Sequence, residues 1–96
     1  MNTIFKILWF EDEQTWYNME KLRVEGILNT HYLIPEIVRK NGEDFNIDEL
    51  TGNDFDIILM DFKLADGVTG DTIVAALRES SILTDILFYS SAEKAM

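Results

Sequence analysis

Phe55-Asp56-Ile57-Ile58-Leu59-Met60-Asp61 is a short apolar run that delivers one carboxylate at its end. Apolar residues without clean alternation, rich in β-branched types, suit a strand covered on both faces. Two other segments read the same way. Ile4 to Phe10 leads into Glu11-Asp12-Glu13, and Ile86 to Tyr89 leads into Ser90-Ser91. Tyr32 to Val38 is a weaker strand, and Pro35 places it at a sheet edge, because proline cannot donate to an interior ladder. Helical stretches lie between the strands. Gln14 to Leu28 carries Trp16, Met19, Leu22 and Ile27 at roughly helical spacing, with acids at its start. Asn46-Ile47-Asp48-Glu49 reads as a cap and first turn of a short helix ending near Gly52. Asp71 to Ser80 carries Ile73, Val74 and Leu77 on one face, and Ser91 to Met96 reads as the start of a further helix. The order β-α-β-α-β-α-β predicts an α/β domain with a parallel sheet and right-handed crossovers.

In such sheets the chemistry sits beyond the carboxyl ends of the strands. There the sequence puts Glu11, Asp12 and Glu13 after the first strand and Asp61 at the end of the third. If the first and third strands are neighbours, their ends lie about 5 Å apart, and two or three of these carboxylates would then converge. Like charges that close resist joint ionisation unless a cation neutralises them. Hard oxygen ligands favour Mg²⁺. Glu13 is better read as a helix cap, since acids after a strand favour the positive end of the next helix. A metal-dependent hydrolase or nuclease on a similar sheet often shows Asp-x-Asp at a strand end. Here Phe62-Lys63 follows Asp61, which argues against that chemistry.

Length and composition narrow the choice. Ninety-six residues make one domain with a thin core. There is no cysteine and one histidine, His31, so disulfides, thiol catalysis and Cys- or multi-His zinc sites are excluded. His31 reads as a solvated loop residue. The net charge of −10 repels phosphate backbones and anionic lipid, which argues against direct nucleic-acid or membrane binding. The longest apolar run, Ile73 to Leu77, is too short for a secretory signal or a membrane span. The expected location is the cytoplasm.

Three motifs in order resemble response-regulator receiver domains of two-component signalling. Lys6-Ile7-Leu8-Trp9-Phe10-Glu11-Asp12-Glu13 is similar to their first strand and acidic pair. Phe55 to Asp61, continuing through Phe62-Lys63-Leu64-Ala65-Asp66-Gly67-Val68-Thr69-Gly70, is similar to the phospho-acceptor strand and its loop. Thr84-Asp85-Ile86-Leu87-Phe88-Tyr89-Ser90-Ser91 is similar to the fourth strand and its terminal hydroxyl residue. Ala65 and Asp85 stand where the family usually has proline, and Glu11 where aspartate is commoner.

The resemblance implies a flavodoxin-like doubly wound parallel sheet. It implies Asp61 as the phospho-acceptor, Mg²⁺ held by Glu11, Asp12, Asp61 and the main-chain carbonyl of Lys63, and Ser90 binding a phosphoryl oxygen. The partner would be a histidine kinase or phosphotransfer protein. The family's fifth strand, with its lysine, and fifth helix would follow Met96. Residues 1–96 are therefore expected to form a single, C-terminally incomplete domain of four strands in the order 2-1-3-4. Strand four would then be an open edge inviting self-association or a strand from a partner. The missing lysine supports an alternative, a degenerate receiver acting as a phosphorylation-independent interaction module.

Of the remaining residues, Trp9, Phe10, Trp16 and Phe88 are expected in the core. Gly67 and Gly70 are expected to serve turn geometry. Neither belongs to a phosphate-cradling motif, since no G-x-x-x-x-G-K or G-x-G-x-x-G occurs. Glu43, Asp44, Asp48, Glu49 and Asp54 read as a solvated acidic face.

Overall fold

The computed structural model describes residues 3–42, 46–50, 55–62, 64 and 68–89. The elements are β1 (Thr3–Phe10), α1 (Gln14–Thr30), β2 (Leu33–Lys40), α2 (Ile47–Leu50), β3 (Ile57–Asp61), α3 (Gly70–Glu79) and β4 (Ile86–Tyr89). The strands form one parallel sheet in the order β2-β1-β3-β4. This is the expected doubly wound architecture. Pro35 lies on β2, at the sheet's edge, opposite Phe5.

Alternation along the two inner strands builds two cores. Leu8 and Phe10 of β1 join Ile58 and Met60 of β3, Leu50 of α2, and Ile73 and Leu77 of α3. On the opposite face, Ile7 and Trp9 of β1 pack with Tyr17, Val24 and Leu28 of α1 and with Ile57, Leu59 and Tyr89. Because both faces of β1 are covered, its last four residues are all buried.

Two expectations about packing are corrected. The core-facing stripe of α1 is Tyr17, which is buried, with Lys21, Val24 and Leu28 half-buried and Trp16 at its margin, while Met19, Leu22 and Ile27 are exposed. The stripe follows i, i+4, i+7, i+11, the face that meets Ile7, Trp9 and Ile37. The acids stand at the start of α1 as expected, just ahead of its first turn, and Glu13 is its N-cap, accepting from the Thr15 amide. Phe88 is 45% exposed, on β4, which has a neighbouring strand on one side only among the described residues. Trp9 and Phe10 are fully buried, as expected, and Trp16 is half-buried.

β3 begins two residues later than its apolar run. Asp56 breaks the run by pinning the chain to β1: its carboxylate accepts from the Lys6 amide at 2.7 Å, and its own amide donates to the Lys6 carbonyl at 2.8 Å. The expected helix at Ser91 to Met96, and residues Gly52, Glu43, Asp44, Asp54 and Gly67, lie outside the described residues. So do the side chains of Asp48 and Glu49.

Candidate functional site

β1 and β3 are hydrogen-bonded neighbours, and both end at the same rim of the sheet. That rim brings Glu11, Asp12 and Asp61 together, each offering a carboxylate oxygen within 4.8 Å of the others. Glu11 and Asp61 are fully buried, while Asp12 is exposed. The set consists only of hard oxygen donors, with one ligand open to water. That chemistry fits a divalent cation such as Mg²⁺, which takes few carboxylates and keeps several waters.

Glu11 is buried because each of its oxygens has a donor. The Glu13 amide donates to Oε2 at 2.8 Å, inside the turn that caps α1. The Tyr89 hydroxyl donates to Oε1 at 2.6 Å, reaching across from β4. That hydroxyl in turn accepts from Trp9 Nε1 at 2.9 Å. The Tyr89 ring stacks on Trp16 at 5.1 Å. Burial pushes the Tyr89 hydroxyl far above the ordinary tyrosine range, and donation to Glu11 adds to the shift. It is therefore a neutral donor at physiological pH.

Arg39, at the end of β2, fixes the main chain of the same turn. Its Nε donates to the Glu11 carbonyl at 3.0 Å, its guanidinium lies 4.9 Å over the Tyr17 ring, and it also donates to Gln14. Arg39→Ala removes a charge-assisted bond and a cation–π contact together. It should lower unfolding free energy by about 1–2 kcal/mol. Urea denaturation measures this, and an unchanged midpoint would show that the clamp contributes nothing.

The residues named from the sequence divide in two. Glu11, Asp12 and Asp61 converge at one rim. Lys63 and Ser90 lie outside the described residues. Sequence reasoning did not single out Tyr89 or Arg39. The only signal for Tyr89 was a hydroxylated aromatic closing an apolar strand, and for Arg39 a pair of cations, Arg39-Lys40, at the end of an edge strand. Gly70 does not serve a left-handed turn. It opens α3 in close contact with the main chain of Asp61. His31 is exposed and caps the C-terminus of α1. Among the described residues no helix is long and apolar enough to cross a membrane.

No family model and no curated protein matches the chain. Solved structures do. A MaeR response regulator bound to beryllium trifluoride superposes with a TM-score of 0.71 at 20% identity, covering 91% of this chain and 67% of that one. A mutant MaeR response regulator bound to sulfate gives 0.72 at 18% identity, covering 93% and 69%. The receiver domain of Francisella response regulator 1452 gives 0.63 at 16% identity, covering 90% and 65%. The chain has the receiver-domain fold. Its four strands take the receiver order 2-1-3-4, and the acidic cluster sits at the carboxyl rim of the receiver sheet.

Proposed function

We propose that the chain is a phospho-acceptor receiver of two-component signalling. The observation that carries this reading is the convergence of Glu11, Asp12 and Asp61 within 4.8 Å at the rim of a receiver fold. Asp61 is the acceptor. One of its carboxylate oxygens attacks phosphorus, forming an O–P bond. With acetyl phosphate as donor, the P–O bond to the acetyl group breaks and acetate leaves with the electron pair. With a histidine kinase or phosphotransfer protein, the P–N bond breaks instead. Glu11, Asp12, Asp61 and the Lys63 carbonyl would hold Mg²⁺, and Ser90 would donate to a phosphoryl oxygen. When bound, the cation supplies positive charge against the phosphoryl oxygens. The protein's part is then positioning and exclusion of water, which is most of what phosphoryl transfer asks. On this reading the chain acts as a signalling domain in the cytoplasm, with no substrate turnover of its own beyond loss of the phosphoryl group.

A second reading, the degenerate receiver that serves only as an interaction module, draws support from Glu11. Both of its oxygens already accept hydrogen bonds within the chain.

Acetyl phosphate with Mg²⁺ separates the two readings. The first expects a single added phosphoryl group by intact-mass measurement, absent in Asp61→Ala. An unmodified wild-type chain would favour the interaction module. A modification that persists in Asp61→Ala would refute Asp61 as the acceptor.

A further inference from the structure

We infer that Tyr89 is a positioning residue for Glu11, fixing its carboxylate so that the acidic cluster takes Mg²⁺ in preference to Ca²⁺. The inference rests on the metal reading above and extends it to a residue outside the ligand set.

A glutamate has one more rotatable bond than aspartate, so its carboxylate swings more freely unless something holds it. Here it is held at both oxygens by donors from different parts of the fold. The Glu13 amide takes Oε2 from within the same turn, and the Tyr89 hydroxyl takes Oε1 from β4. Two donors on two oxygens fix the carboxylate plane as well as its position. Tyr89 is itself restrained. Trp9 Nε1 donates to its oxygen, and the Trp16 ring lies against its face with only 23° between the planes. Each carboxylate oxygen has two lone pairs, so an oxygen that accepts from Tyr89 can still face a cation.

Mg²⁺ demands near-ideal octahedral geometry at short distances, whereas Ca²⁺ accepts variable number and angle. A rigid carboxylate therefore favours Mg²⁺, and a loosened one loses that advantage. Partners that orient a ligating carboxylate typically contribute 10–100-fold in metal affinity.

Tyr89→Phe keeps the ring and its stacking and deletes only the hydroxyl. Mg²⁺ and Ca²⁺ affinities are measured separately by calorimetric titration of wild type and variant, with circular dichroism confirming the fold. The expected result is a Mg²⁺ affinity about tenfold weaker with a clearly smaller loss for Ca²⁺, so that the Mg²⁺/Ca²⁺ ratio falls. An unchanged Mg²⁺ affinity, or equal losses for both ions, would overturn the inference and leave Tyr89 a structural residue only. Should Tyr89→Phe not fold, Trp9→Phe removes the donor that orients the Tyr89 hydroxyl. It should lower the same ratio by less, and an unchanged ratio there counts against the inference. A wild-type chain that binds neither ion overturns the metal reading and this inference with it. Wild-type Mg²⁺ binding that Tyr89→Phe leaves intact overturns the inference alone.

Discussion

Gly70→Ala should destabilise the chain by about 3 kcal/mol, at the upper end of what overpacking costs. A Cβ at this position would sit 2.7 Å from the Asp61 carbonyl oxygen, 2.9 Å from Met60 Cγ and 3.0 Å from Phe88 Cε1. Phe88 is partly exposed and can yield. Met60 is fully buried, and the Asp61 oxygen belongs to the β3 backbone, so neither moves cheaply. Alanine is the better helix former by about 1 kcal/mol, which offsets only part of the clash. The chain can relieve the contact by moving α3 away from the sheet or by shifting the end of β3. The second route displaces the Asp61 carboxylate as well. Urea unfolding measures the loss, and a stability equal to wild type would show that α3 has room to retreat.

Asp61→Asn should act in the opposite direction. Without divalent ions it is expected to stabilise the protein by roughly 1–2 kcal/mol. Three carboxylates lie within 4.8 Å of one another, and two of them are fully buried. At that separation a like-charge pair repels by roughly 3 kcal/mol at the effective dielectric that suits protein sites. Asparagine removes one charge at nearly constant shape. It also brings a donor group that needs a partner, which takes back part of the gain. Millimolar Mg²⁺ should shrink the difference, because wild type gains more from the cation than the variant does. Thermal unfolding with chelator and with Mg²⁺ tests both halves. Lower stability of Asp61→Asn in chelator would mean that the surrounding donors already compensate the acids.

The strands were legible because buried parallel strands are nearly continuous apolar runs, and few other segments look like them; their order came from the resemblance to receiver domains. Ile86–Tyr89 was read to the residue, and Pro35 correctly put β2 at the edge. The convergence of Glu11, Asp12 and Asp61 followed once the first and third strands were taken as neighbours. The buried face of α1 did not follow. Apolar residues ring that helix, so periodicity could not choose between the stripe through Met19 and Leu22 and the one through Tyr17 and Val24. The sheet chose, by offering Trp9 edge-on to Tyr17 at 5.0 Å between ring centres. Tyr89 and Arg39 were missed for a related reason. Their partners are Glu11 atoms 78 and 28 residues away, and spacing along a chain does not encode contacts of that range.

The reach of Tyr89 has a consequence for the order in which the chain is made. β1, α1 and β2 leave the ribosome before β3 and β4 and hold everything that Arg39 needs to grip the Glu11 carbonyl. The acid at the end of β1 emerges with them, 78 residues ahead of the hydroxyl that holds its Oε1. Until β4 pairs with β3, that buried oxygen lacks the Tyr89 donor, and the Asp61 it must face is not yet seated beside Tyr89. A nascent chain can therefore own a formed first half and still have no finished acidic site. Assembly of the rim waits for β4 to arrive.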